Sequence, residues 1–321
     1  MLLGVNPNIT VKGYNMSNER REEAKTLLSR YPYPLFSVTQ FPFSPTDEDI
    51  ARFAKQIRKD IILSTYAAGS GHPGGSLSST DLLSVLFLDV MQHRSNEPKW
   101  SNRDFVIFSK GHVSPLLYAL FAETGYIPRE KLATFRDFQS PLQGHPSNLW
   151  LEPVEVSTGS LGQGLSVGVG LALALKKKQS NQRVFVLCGD GESQEGQIWE
   201  AVMSAAHYRL NHLTLIYDYN NLEIDGWVED VMGIAPVKDK FESFNWHVFE
   251  TDGHHIPAIR EAFAKALQVS DRPAVLVART SKGKGVSFME NQADWHGKAP
   301  NRDQMLQSID EIEKEDLLQK C

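Results

Sequence analysis

The chain of 321 residues is long enough for two ordinary domains or for one large α/β domain with extensions. With 41% hydrophobic and 22% charged residues it has the composition of a soluble globular protein, and its net charge of −6 argues against broad binding to nucleic acid or anionic membrane. Two cysteines, Cys188 and Cys321, cannot build a disulfide framework, no apolar run is long enough to span a bilayer, and the start MLLGVNPNITVKGYNMSNERREEAK lacks the order of a secretory signal; a reducing, cytoplasmic setting is expected.

Residues 1–45 read as an irregular N-terminal arm, with a charged helix possible from Asn18 to Arg30. Pro32, Pro34, Pro42 and Pro45 forbid a long helix in the stretch that follows. Its aromatics Tyr31, Tyr33, Phe36, Phe41 and Phe43 fit either an arm gripping a partner chain or a strap on the chain's own core. Thr46 with Asp49 forms a capping-box pattern that predicts a helix through Tyr66, with Ile50, Phe53, Ala54, Ile57, Ile61 and Ile62 in helical period. The loop Gly69–Gly75 comes next, where backbone could approach a ligand closely, and then a helix from about Ser79 to Met91. Phe105–Phe108 reads as a short strand ending at Ser109-Lys110-Gly111-His112, and Leu116, Leu117, Leu120 and Phe121 mark the helix after it.

His72, His112 and His145 each follow a glycine at an element boundary. A single such histidine is more often a structural hydrogen-bonder. Three of them, in a chain with ten histidines, favour a shared polar pocket. Thr158–Gly164 then opens a helix carrying Gly168, Gly170, Ala172 and Ala174. This is not a dinucleotide fingerprint, because the spacing is wrong and no acidic residue follows a strand at the required distance; the small residues predict close packing of that helix.

Val184–Cys188 and Leu213–Tyr217 are short apolar runs rich in β-formers and read as buried parallel strands. Gln197 to Tyr208 between them places Ile198, Ala201, Val202 and Ala205 on one helical face, which makes the unit a βαβ crossover. Cys188 could be argued as a nucleophile, but a small core residue is the favoured reading. Gly189-Asp190-Gly191 closes the first strand and Asp218-Tyr219-Asn220-Asn221 the second. Ligands of open parallel sheets sit beyond such carboxyl ends. Asp190 and Asn220 can therefore converge there, with a nearby backbone carbonyl, into a hard and incomplete oxygen shell suited to Mg²⁺ or Ca²⁺ completed by phosphate oxygens and water. The plain alternative is a tight turn and a loop cap.

Trp246–Glu250 and Pro273–Arg279 read as further strands, with a helix from about Pro257 to Val269 between them. Ser281-Lys282-Gly283-Lys284-Gly285 lacks P-loop spacing and reads as a glycine-rich turn. From Asp303 to Lys320 an acidic amphipathic helix closes the chain, with no catalytic feature. The fold class expected is α/β, a doubly wound and mostly parallel sheet with helices on both faces, over residues 46–300; residues 301–321 form the tail.

GDGESQEG followed by YDYNNLEIDG resembles the thiamine diphosphate signature of transketolases, and SGHPGG, KGH and GHP have counterparts in the same family. The resemblance covers about residues 50 to 300 and implies the thiamine diphosphate-binding fold. It implies that Asp190, Asn220 and the carbonyl of Leu222 hold Mg²⁺, with Ca²⁺ or Mn²⁺ as substitutes. Gly191 would pack against the diphosphate, and Gly159, Ser160 and Leu161 would lie along the cofactor. His72, His112, His145 and His296 would handle protons and polar contacts, His112 and His296 touching the cofactor as well. Glu195 resembles a glutamate that links two distant cofactors; read from its position alone, it is a helix-start acid.

In this family a glutamate beside the pyrimidine nitrogen and most of the basic residues that grip the sugar phosphate come from another domain. The resemblance therefore implies a separate C-terminal subunit, two copies of each chain, and active sites at the interface between chains. The reaction implied is transfer of a two-carbon ketol unit from a ketose, as its phosphate or a related sugar, to an aldose. Deoxyxylulose-phosphate synthases and keto-acid dehydrogenase alpha chains are the enzymatic rivals, and a non-catalytic scaffold of the same fold is the rival from a different class.

Overall fold

A computed structural model describes residues 12–30, 34–36, 38–39 and 43–315. Tyr31, Pro32, Tyr33, Phe41, Pro42, the first eleven residues and the tail from 316 to Cys321 lie outside the described residues. Five strands form one sheet: β1 (Phe105–Phe108), β2 (Val184–Gly189), β3 (Leu213–Tyr219), β4 (His247–Asp252) and β5 (Ala274–Arg279). All pairings are parallel and the spatial order is β1-β2-β3-β5-β4. The doubly wound α/β sheet expected from the apolar runs is the one observed.

The helices are α1 (Lys12–Leu28), α2 (Asp47–Ala68), α3 (Pro73–Ser78), α4 (Thr80–Val85), α5 (Ser114–Glu123), α6 (Gln163–Lys177), α7 (Gly196–His207), α8 (Val228–Met232), α9 (Val237–Ser243), α10 (Ile256–Gln268) and α11 (Arg302–Lys314). The twofold alternation of strand side chains divides them between two faces. Val184, Val186 and Cys188 pack under α6 and α7, whereas Phe185 and Leu187 join Phe53 of α2 and Phe263 of α10 on the other face. Each central strand is thus buried on both sides, which is why it reads as an unbroken apolar run. Cys188 is free and buried in this layer, and burial pushes its thiol well up, so it is a core residue. Among the described residues no helix is long and apolar enough to cross a membrane.

The capping box at Thr46 and Asp49 is formed, and α2 ends where Gly69 turns left-handed. The loop expected over Gly69–Gly75 is shorter than the sequence pattern indicates, because Pro73 starts α3 directly after His72. The two glycines inside α3 answer to packing: a Cβ on Gly74 would lie 2.8 Å from the carbonyl oxygen of Trp295, and one on Gly75 3.2 Å from Val113. The helix expected from Ser79 to Met91 is α4 continued by a wider π-type turn, Leu86–Val90.

The arm's possible helix is α1, which begins earlier than the charge pattern indicated. It packs on α2, and Ala24 and Leu28 are buried there. Beyond it, the backbone N–H groups of Phe36 and Val38 donate to the carbonyls of Glu123 and Thr124, and the Phe36 ring packs edge-on against Phe53 at 5.8 Å. The described part of the arm therefore straps the chain's own core. The tail helix α11 likewise buries Met305 and Ile312, and Glu313 pairs with Lys59 of α2.

The small residues of α6 separate into two kinds. A Cβ on Gly168 would lie 2.6 Å from Cγ2 of Val186, whereas one on Gly170 would meet nothing within 4 Å. Gly168→Ala is therefore expected to destabilise the protein by about 1–3 kcal/mol through overpacking. Gly170→Ala is expected to stabilise it by about 0.4–1 kcal/mol through the unfolded chain. Urea melts of the two variants check this, and shifts of the same sign would refute the close-packing account of α6.

Candidate active site

The register pairs Gly189 with Asp218, so the GDG turn and the Asp218–Asn221 turn leave the sheet side by side. Asp190 caps its own turn, accepting from the N–H of Gly191 at 2.8 Å through Oδ1 and from the N–H of Asn221 through Oδ2. Asn221 adopts a left-handed φ of 58°, which an asparagine tolerates, and this returns the chain toward the cavity at Leu222. Oδ1 of Asn220 accepts from the N–H of Leu222 at 3.1 Å, and the Leu222 carbonyl accepts from Nζ of Lys282 at 2.6 Å. Asp190, Asn220, Leu222 and Gly191 all line one cavity of about 280 Å³ at the carboxyl ends of β2 and β3.

Burial, then the charge of Asp218, pushes the Asp190 carboxyl up to about 6. A carboxylate held that way gains by meeting a cation. One carboxylate, one amide oxygen and one carbonyl make a hard-oxygen donor set that fits Mg²⁺ with its other positions filled by phosphate and water. Among the described residues no group of three His, Cys, Asp or Glu side chains is arranged for a metal, so the amide and the carbonyl are needed to complete this set.

Three of the four expected histidines meet. The rings of His72 and His112 are 5.3 Å apart, those of His72 and His296 5.6 Å, and those of His112 and His296 5.1 Å. Gly111 lets His112 in, since a Cβ there would lie 2.7 Å from Oγ1 of Thr158 and 2.9 Å from the N of Gly159. His112 and His296 line the cavity; His72 stands behind them. His145 is further out, with its ring against Gly159, where a Cβ would come within 3.1 Å. Burial and then neighbouring positive charge lower His72 to about 4 and His296 to about 3, and lower His112 and His145 as well. At neutral pH all four are neutral imidazoles, each with one N–H to donate and one lone pair.

Of the remaining expected residues, Leu161 and Glu195 line the cavity, with Glu195 exposed at its rim, while Gly159 and Ser160 lead into Leu161 from outside the wall.

The electrostatic frame beneath the site is what the sequence reading missed. Asp218 is fully buried and accepts from Ser78 Oγ at 2.6 Å, Ser79 Oγ at 2.8 Å, Asn220 Nδ2 at 3.3 Å, Lys110 Nζ and Thr280 Oγ1. Although burial opposes it, the Lys110 ammonium and these hydroxyls hold the Asp218 carboxyl down at about 2. Glu192, also buried, accepts from Ser109 Oγ at 2.5 Å, the N–H of Gly162 at 2.9 Å and the N–H of Gly189 at 3.1 Å. It ties the two loops that flank the cavity to the end of β2. Lys110 and Lys282 both line the cavity, and burial lowers Lys282 to about 8. Lys282 belongs to the glycine-rich turn expected after β5, and Gly283 there does turn left-handed. The rule that singled out Asp190 and Asn220, polar residues just past a strand's carboxyl end, applies equally to Lys110 after β1 and Lys282 after β5.

Comparison with known proteins gives a consistent picture. The family described as transketolase, thiamine diphosphate binding domain, matches residues 50–312. One of the two chains of an apulose-4-phosphate transketolase from Phocaeicola vulgatus is 39% identical over 79% of this chain and 90% of its own. A 6-deoxy-6-sulfo-D-fructose transketolase subunit from a Clostridium strain is 38% identical over 83% of this chain and 97% of its own. The crystal structure of transketolase from Campylobacter jejuni superposes with a TM-score of 0.77 at 34% identity, covering 83% of this chain and 42% of that one.

Proposed function

The chain belongs to the transketolase family through its thiamine diphosphate-binding domain, and we propose that it is the diphosphate-binding subunit of a Mg²⁺-dependent, two-chain transketolase. The observation that carries this reading is the convergence of Asp190, Asn220, the Leu222 carbonyl, His112, His296, Lys110 and Lys282 on one cavity. Asp190, Asn220 and Leu222 would hold Mg²⁺, with Ca²⁺ or Mn²⁺ as substitutes, and Gly191 would let the diphosphate approach the backbone. Bound thiamine diphosphate supplies the carbon nucleophile and electron sink that breaking and remaking a C–C bond beside a ketose carbonyl requires.

The chain's own residues do the rest. Lys110 and Lys282 put positive charge at the cavity wall beside the metal oxygens, where a diphosphate gains most from it. His112 and His296 meet the ligand as neutral imidazoles, suited to hydrogen bonds with cofactor and sugar oxygens. His72 and His145 extend that polar lining outward toward the sugar, and Leu161 gives the cofactor an apolar wall. Glu195, at the rim, faces outward toward a second chain in this reading.

A separate C-terminal subunit would close the site, supplying the acid that the thiamine pyrimidine needs, in an assembly of two copies of each chain. Two relatives named as transketolase subunits align over nearly their whole length, and this supports a two-chain enzyme. Ile224 and Trp227, exposed by the cavity mouth, are the kind of apolar surface that a partner covers. The substrate class is a ketose donor and an aldose acceptor bearing phosphate or another anionic group. A scaffold reading gives no reason for the cavity to hold two buried lysines beside a carboxylate.

Calorimetric titration of thiamine diphosphate with Mg²⁺, into this chain alone and into its complex with a co-expressed C-terminal subunit, tests the proposal. Tight binding confined to the complex is expected. Tight binding by the chain alone would refute the shared site, and no binding to either would leave the scaffold reading.

A further inference from the structure

Among the described residues, Arg136 is an arginine without an acid. It follows the buried Phe135, adopts a left-handed φ of 61°, and keeps its N–H on the carbonyl of Leu142. The neighbouring carboxylate, Asp137, is engaged at 2.5 Å by Arg21 instead. The guanidinium donates through Nη1 to Ser70 Oγ at 2.7 Å, and its Nη2 lies 3.5 Å from Nδ1 of His72. Its Nε is buried with no partner among the described residues, under Gly144, where a Cβ would come within 3.0 Å. A half-buried cation has thus been turned, at the cost of an unfavourable backbone conformation, onto the back of a histidine in the candidate active site.

A guanidinium has five donors and no acceptor. Whatever it shares with an imidazole nitrogen, that nitrogen must present its lone pair. We propose that Arg136 is a positioning residue: it fixes His72 as the neutral tautomer with a bare Nδ1 and its proton on Nε2, so that His72 meets the sugar as an N–H donor. The Ser70 hydroxyl anchors the other arm of the fork and sets its direction.

The groups facing His72 agree with a neutral ring. They are Arg136 and Ser70 on the Nδ1 side, His145 beside them, His112 after β1, and Lys282 and His296 after β5. All the charged ones are cations, and none favours an imidazolium. Nε2 lies on the opposite side of the ring, at Gly297, where a Cβ would stand 3.5 Å from it. A similar arrangement recurs at His296, whose Nδ1 receives Lys282 Nζ at 2.8 Å.

The statement about the sugar rests on the transketolase reading; the tautomer itself does not. The experiment is therefore a long-range ¹H–¹⁵N spectrum of the full chain labelled at histidine, taken without cofactor or sugar between about pH 5 and 8. His72 is assigned by its loss in His72→Gln. The unaltered chain is expected to show His72 with Nδ1 bare and Nε2 protonated throughout. In Arg136→Met the proton should spread over both nitrogens, and the midpoint should rise by about one pH unit, because removing a cation favours the imidazolium. In Arg136→Lys the midpoint should stay low while the tautomer relaxes, since the charge is kept and the fork is lost.

If Arg136→Met does not fold, Ser70→Ala frees the anchored arm and is read the same way. A proton on Nδ1 in the unaltered chain overturns the proposal. So does a tautomer and midpoint unchanged in the folded variants, which is what a purely structural arginine would give. Failure of the cofactor titration would leave this spectrum unaffected, so the two readings fail separately.

Discussion

Asp190→Ala is expected to lower the affinity of the two-chain complex for Mg²⁺ with thiamine diphosphate by about 100-fold or more. Losing a partner that merely orients a metal ligand already costs about 10–100-fold, and Asp190 is the only carboxylate in the proposed donor set. Asn220 and the Leu222 carbonyl would remain, but two neutral oxygens cannot balance a divalent cation against a diphosphate. The fold should survive. Asp190 loses its bonds from the N–H groups of Gly191 and Asn221, each worth about 0.5–1.5 kcal/mol, while the cost of burying its charge is relieved. Calorimetry on the complex, with a thermal melt of the same sample, separates the two effects. Wild-type affinity in a folded Asp190→Ala complex would remove the metal corner from the mechanism.

The sheet was legible because its strands are buried on both faces and carry runs of β-formers that no helix period explains. Val184–Cys188, Leu213–Tyr217 and Phe105–Phe108 were each placed to within about two residues. The metal corner was legible for a related reason: polar residues that end such strands can only face the sheet's carboxyl edge. What could not be read was pairing across the fold. Nothing near Asp218 in sequence announces that Lys110, Ser78, Ser79 and Thr280 converge on it, since they come from three other segments. Arg136 looks like any loop arginine until its neighbour Asp137 is found on Arg21. His145 was placed with the other histidines by its Gly-His context, a local signal that carries no distance. The loop at Gly69–Gly75 misled because Gly74 and Gly75 are helix breakers by propensity, kept inside α3 by the close approach of Trp295 and Val113.

Asp218→Asn is expected to destabilise the protein by about 3–5 kcal/mol, the cost of removing one partner from a buried ion pair. Lys110 is left with its ammonium in the interior, and an amide cannot accept all five donors that the carboxylate now accepts. The damage comes from the uncompensated charge, so it should be reversible in part by removing that charge as well. Asp218→Asn combined with Lys110→Met is expected to melt well above Asp218→Asn alone, because replacing both members of a buried pair costs far less than breaking it. Urea melts of the two single variants and the double variant measure the coupling. Additive losses would mean that Asp218 and Lys110 do not stabilise the fold through each other. The double variant also asks a functional question that the single one cannot. Asn220 hangs its amide on Asp218, so a folded double variant that binds Mg²⁺ poorly would show that the carboxylate orients the metal ligand as well as holding four segments together.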